Sequence, residues 1–198
     1  MPGDDRYTYP NSGGVLRNLL GITDATELDE ATNAFVSVAW ADLETQPAPD
    51  RIDRAYLHGV HRHLFRDLFS WAGKVRDVDV MAAGTSVVYC PVAEVEQRID
   101  DAFDELVQHD FLQGLDYLDF AAKLARFWTK LTVAHPFRDG NTRSQTFVIA
   151  RLAEAAGHPI AWERVDHESL RRQRMAAAQG HPEALALFIE NRIEGSLW

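Results

Sequence analysis

A chain of 198 residues with 46% hydrophobic, 25% charged and 10% aromatic content has enough apolar side chain for one globular core and too much to stay disordered. Its formal net charge of −10 argues against broad binding to nucleic acid or to an anionic membrane, since either would repel it. Cys90 is the single cysteine, which excludes an intrachain disulfide and a cysteine-based zinc site.

The charge is unevenly spread. Residues 1–119 carry a net charge of −13 and residues 120–198 a net charge of +3, and between Phe120 and Arg151 six cations stand against one acid. The N-terminal stretch has no apolar leader, and no run approaches the roughly 18 apolar residues of a membrane span. The expectation is a soluble cytoplasmic protein.

Residues 1–23 read as an irregular lead-in, punctuated by Pro2, Pro10, Gly13 and Gly14, with Leu16, Leu19 and Leu20 able to dock on a core. Asp24 followed by Glu27 forms a capping-box signal, and Leu28, Ala31, Phe35 and Val38 at three- and four-residue steps predict a helix over about 24–44. A second helix starts near Asp50, runs its stripe through Ile52, Tyr56, Val60, Leu64 and Leu68 towards Trp71, and stops before Gly73. Alternation through Val75–Val80, an Ala83-Gly84 interruption and the β-branched Val87-Val88-Tyr89 predict a β-hairpin flap at about 74–91. Val92, Val95, Ile99, Phe103 and Leu106 mark an amphipathic helix whose acids solvate its outer face. The helix at about 116–133 is apolar on nearly every side and should be the buried central one. Another begins near Asn141 and ends before Gly157 and Pro159, and two more follow at about 166–179 and 182–193. The expected fold is mostly α, one helical domain over 24–198 with a short flap.

The stretch from His135 to Arg143 concentrates the chemistry. It sets an imidazole, a carboxylate, a Gly-Asn turn and an arginine between the most apolar helix and a new helix N-terminus. The first amides of a helix lack intrahelical partners and carry the positive end of its dipole, so phosphate oxygens can bind there. Gly140 allows close backbone approach, Asn141 tolerates a left-handed turn or caps the helix, and Arg143 one turn in can fork onto phosphate. A lone Asp139 would repel that phosphate unless a divalent cation bridges them, and Mg²⁺ accepts one carboxylate together with phosphate oxygens and water. His135 can take a proton from an attacking hydroxyl near neutral pH. Phe137 is the loop's inward anchor.

The string His135-Pro136-Phe137-Arg138-Asp139-Gly140-Asn141-Thr142-Arg143 resembles the Fic family motif HxFx(D/E)GNGRxxR. Tyr7-Thr8-Tyr9-Pro10, the run His61-Arg62-His63-Leu64-Phe65 through Ser70-Trp71-Ala72-Gly73-Lys74-Val75-Arg76, and the flap after it are similar to Fic proteins as well, so the resemblance spans almost the whole chain. It implies a Fic-like helical bundle that moves AMP from ATP to a Ser, Thr or Tyr hydroxyl of a target protein. By the same resemblance His135 is the general base and Asp139 the Mg²⁺ ligand. Asn141 and Arg143, with Arg138, Gly140 and Thr142 beside them, hold the nucleotide phosphates. Asp79, Val80, Ala83 and Gly84 belong to the flap that holds the target by strand-like pairing.

Two positions depart from the motif. Thr142 replaces its second glycine and Thr146 its final arginine. Loss of a charged hydrogen bond costs about 1.5–3 kcal/mol, roughly 10- to 150-fold. This keeps open a different donor nucleotide, phosphotransfer, or a nucleotide- and partner-binding module with impaired catalysis. Fic proteins restrained from within carry [ST]xxxE[GN] on an inhibitory helix, and the chain has no full match, which implies a separate small antitoxin-like inhibitor or none. A domain of a translocated effector is the alternative to a cytoplasmic setting.

Other clusters have plainer readings. His58, His61 and His63 lack carboxylates at ligand spacing and are not taken as a metal site. Arg171, Arg172 and Arg174 form a small basic run that could reach phosphate or a partner but reads first as a solvated helix face, and Cys90 reads as a small buried residue.

Overall fold

The computed structural model describes residues 6–47, 49–82 and 87–194. Within them the fold is helical, with seven α-helices, three 3₁₀ turns and only isolated β-bridges. No described helix is long and apolar enough to cross a membrane. The chain divides into two compact units, residues 1–47 with 58–74, and residues 48–57 with 75–198.

In the first unit the lead-in is more ordered than its glycines and prolines suggested. Thr8 and Leu16 form an antiparallel bridge, flanked by Tyr9 N–H to the Val15 carbonyl at 2.9 Å and Arg17 N–H to the Tyr7 carbonyl at 2.7 Å. Val15 is buried, whereas Leu19 and Leu20, expected on the core, are exposed. Helix α1 (Ala25–Thr45) begins as the capping box predicts, with the Asp24 carboxylate accepting from Glu27 N–H. Its buried face is Leu28, Thr32, Val36 and Leu43, one residue round from the predicted stripe, so Phe35 and Val38 face outward. Period alone could not choose, because both stripes keep helical spacing and the buried one contains a threonine.

Helix α2 (Arg54–Phe65) stops about two turns before the predicted end. The chain then turns back so that Gly73 meets the helix side: its N–H donates to His61 Nδ1 at 2.8 Å and its carbonyl lies 2.9 Å from His58 Nδ1. Gly73 has φ +76, and a Cβ there would sit 2.8 Å from Arg62 Cβ and 2.9 Å from the His58 carbonyl, so only glycine fits the clasp. His63 points elsewhere and contacts Asp42 at 2.9 Å. The three histidines thus have structural duties.

The second unit is built around α4 (Tyr117–Ala134), which buries Phe120, Leu124, Phe127, Trp128 and Leu131 among others, as its all-round apolarity requires. Against it pack α3 (Val95–Gln108), α5 (Asn141–Ala155), α6 (His167–Ala178) and α7 (Pro182–Glu190). Helix α3 buries Val95, Ile99, Phe103 and Leu106, as predicted, and its outer acids pair with cations: Arg54 reaches Glu96 and Asp100, and Arg98 reaches Glu94. The flap carries a single described bridge, Met81 to Val88, in place of regular strands. Its underside, Val80, Ala82, Val87 and Tyr89, rests on Met175 and Ala178 of α6.

Candidate active site

The predicted loop is a helix-to-helix junction. Helix α4 ends at His135, whose φ 43 and ψ 62 are left-handed, and α5 begins after Gly140, left-handed as well at φ 75. A histidine accepts that conformation at a steric cost, which the surroundings must offset. Much of the support comes from Arg76. Its guanidinium is 2% exposed and donates to four backbone carbonyls: Nε to His135 at 2.8 Å, Nη1 to Val78 at 2.8 Å, and Nη2 to Cys90 at 2.5 Å and Ala134 at 3.3 Å. Its own N–H donates to the Pro136 carbonyl at 2.8 Å. The last carbonyls of a helix have no intrahelical donors, and here a cation supplies them where the helix dipole is negative.

Inside the loop, Phe137 is fully buried and Asn141 folds back on it. The Asn141 amide accepts from Phe137 N–H at 2.9 Å and donates to the Phe137 carbonyl at 2.7 Å. This pair of bonds closes the turn like a rung, so the Asn141 side chain shapes the loop, and Gly140 is the residue at the helix cap. No side chain caps the N-terminus of α5. Around that end stand Arg138 and Arg143, both partly exposed, and Asp139 and Thr142, both exposed.

His135 stacks face to face on Tyr89, ring centroids 3.6 Å apart and planes 11° from parallel. Its pKa is lowered to about 3, first by burial, then by the positive charges of Arg174 and Arg76, with backbone hydrogen bonding at Thr132 pulling weakly the other way. The ring is therefore neutral at physiological pH. Nδ1 is sealed without a partner at full hydrogen-bonding distance, which leaves Nε2 as the nitrogen that can reach a substrate. A neutral imidazole with one open nitrogen can accept a proton.

Asp139 could hold a divalent cation. No group of three or more metal-ligating side chains exists among the described residues, so no all-protein cage forms. A single exposed carboxylate at a helix N-terminus with two arginines close by in sequence suits Mg²⁺ that arrives with phosphate oxygens and water.

Two further residues stand at the junction with only a weak sequence signal. The pattern places Tyr89 in a strand and Arg174 first on a solvated helix face, with phosphate or a partner as the alternative, but Arg174 is buried against the junction, with hydrogen bonds to Thr132, Thr142 and Gln145. A sequence signal existed: Leu170, Arg174 and Ala177 share the buried stripe of α6 at helical spacing. The predicted cation concentration also divides. Lys123, Arg126 and Lys130 line a cavity of about 340 Å³ between α3 and α4 with Glu105 and His109, and Lys130 pairs with Glu105, so half of the six cations serve a different groove. Of the flap residues, Asp79 accepts from Val92 N–H at 2.8 Å and Val80 packs beneath the flap, while Ala83 and Gly84 lie outside the described residues. Cys90 is buried and donates from Sγ to the Ala134 carbonyl at 3.3 Å.

The sequence model of the Fic/DOC family matches residues 51–153, which include the whole junction. The chain belongs to the Fic/DOC family. It is 30% identical over 191 residues to a Salmonella typhimurium protein named probable protein adenylyltransferase Fic, covering 96% of this chain and 93% of that one. It is 29% identical over 190 residues to protein adenylyltransferase VbhT of Bartonella schoenbuchensis, and it spans 39% of that relative's length. Among solved structures, the N-terminal Fic domain of a VirB-translocated Bartonella quintana effector with bound ADP superposes with a TM-score of 0.88 at 28% identity, covering 96% of this chain and 97% of that one.

Proposed function

We propose that this Fic/DOC chain is a protein adenylyltransferase that moves AMP from ATP to a Ser, Thr or Tyr hydroxyl of a target protein. The observation that carries the reading is a neutral His135 with Nε2 open, held at the junction where the uncapped N-terminus of α5 favours phosphate. The relatives named as adenylyltransferases and the ADP-bound Fic domain support the same donor class.

The target hydroxyl gives its proton to His135 Nε2 as its oxygen bonds to the α-phosphorus, and the bond to pyrophosphate breaks. The first amides of α5, with Arg138 and Arg143, gather the anionic oxygens, and Asp139 would hold the Mg²⁺ that neutralises part of their charge. Burial behind Tyr89 keeps the imidazole unprotonated until the hydroxyl arrives. The target segment lies along the flap, where Met81 and Val88 are largely exposed on either side of the bridge. A separate small inhibitor acting at this site fits a chain without the internal inhibitory motif.

The test incubates purified protein and lysate with labelled nucleoside triphosphates and Mg²⁺, beside the His135→Ala variant. Label on a protein hydroxyl, lost in the variant and carrying the mass of AMP, is the expected result. Label that persists in the variant, or none with any donor, overturns the reading. ATP binding without turnover would instead favour a binding module.

A further inference from the structure

Arg174 is a buried cation whose hydrogen-bond partners among the described residues are all neutral. Its side chain is 2% exposed, and its guanidinium donates to Thr132 Oγ1 from Nε at 3.3 Å and Nη2 at 3.1 Å, to Gln145 Oε1 from Nη2 at 2.6 Å, and to Thr142 Oγ1 from Nη1 at 2.9 Å. One face lies 5.2 Å from the Trp128 ring. No carboxylate among the described residues pairs with it. Burial lowers its pKa to about 10, so it is still charged at neutral pH. An uncompensated charge in such a place is unfavourable in the empty protein and becomes favourable when an anion docks beside it.

The anion would dock at the exposed end of this network. Thr142 lies in the first turn of α5 and is exposed although its oxygen is tied to the buried guanidinium. A hydroxyl has one hydrogen to give. With the Thr142 oxygen accepting from Arg174, that hydrogen is free to swing outward, and the cation behind it strengthens it as a donor. Gln145 is fixed in the complementary sense, because its amide nitrogen donates to the Leu131 carbonyl at 2.9 Å and leaves Oε1 to accept from Arg174. The proximity of Arg174 to the reaction centre is independent of these bonds, since its charge reaches both His135 and Tyr89.

We infer that Thr142 and Arg174 form a phosphate clamp, in which Thr142 donates its hydroxyl to an oxygen of the nucleotide's polyphosphate and Arg174 is the positioning residue that orients it and supplies positive charge. The two motif departures then make sense together. Thr146 brings no charge to α5, a cation comes across from α6, and a hydroxyl at position 142 links that cation to the ligand where a glycine could not. The clamp rests on the nucleotide-binding part of the reading above.

The test measures equilibrium binding of ATP, adenosine and inorganic tripolyphosphate to the full chain and to Thr142→Val, Thr142→Ser, Arg174→Met and the Thr142→Val/Arg174→Met double variant, each first checked for a native thermal melt. Thr142→Val should weaken ATP and tripolyphosphate about ten-fold or more, as expected for a lost charge-assisted hydrogen bond, and leave adenosine unchanged. Thr142→Ser should restore both. The double variant should lose less than the product of the two single losses, because both act through one bond. A folded Thr142→Val chain with wild-type tripolyphosphate affinity, equal loss of ATP and adenosine, or a wild-type chain that binds neither ATP nor tripolyphosphate overturns the clamp. A wild-type chain that binds both and transfers nothing overturns only the transfer reading.

Discussion

Replacing His135 by asparagine should change how the stability of this chain depends on pH. In the folded chain the pKa of His135 is about 3, against 6.5 for the free side chain. Between those values the unfolded chain binds a proton that the folded chain refuses. Stability is therefore undiminished above pH 6.5, falls as the pH drops through that window, and has lost its full increment near pH 3. Linkage gives a loss of about 2 kcal/mol between about pH 7.5 and about pH 5, and about 4–5 kcal/mol over the whole window. Asparagine removes the titration and tolerates the left-handed backbone at this position. Urea unfolding of both chains at the two pH values, compared at equal slope, isolates the effect, since the other histidines titrate in both and cancel. The wild type should lose about 2 kcal/mol more than His135→Asn on acidification. Parallel pH dependences would show that His135 is neither desolvated nor crowded by guanidinium charge, and would remove the physical basis for its neutral state.

Two further outcomes test the scaffold. Arg76→Met takes the guanidinium from the His135, Val78 and Cys90 carbonyls and leaves Ala134 only the weak Cys90 thiol donor, and should lower stability by about 3–5 kcal/mol in thermal or denaturant unfolding, with Arg76→Lys recovering only part, since an ammonium cannot span four acceptors. A loss under about 1 kcal/mol would mean that water replaces the guanidinium readily. Gly73→Ala forces a Cβ against Arg62 and the His58 carbonyl at positive φ and should cost about 1–3 kcal/mol by urea unfolding, and an unchanged midpoint would refute the close approach.

The parts legible in the sequence were those whose physics is local. The junction is contiguous, so its imidazole, carboxylate, glycine and helix start could be read in order, and α4 announced its burial by having no polar face. The parts that were missed depend on pairs distant along the chain. Arg76 is 59 residues from the His135 carbonyl it holds, and Arg174 is 32 residues from Thr142. Nothing in a run of three arginines marks the one that turns inward, unless the apolar neighbours one turn before and one turn after are counted with it. The α1 stripe failed for a different reason: spacing fits both faces, and the threonine at position 32 gives the buried face no apolar signal there.

The guanidinium of Arg76 joins the two ends of the flap to the junction at His135: Val78 on one side, Cys90 on the other, and Ala134 and His135 between. These are not separate anchors, since one rigid plane of atoms holds all four. A target strand that lifts or twists the flap on binding would pull on the same plane, and the orientation of the His135 ring would respond. If the proposed transfer reading holds, engagement of a target on the flap and alignment of the His135 ring would be mechanically linked, and a poorly matched target would be penalised in turnover even where it binds.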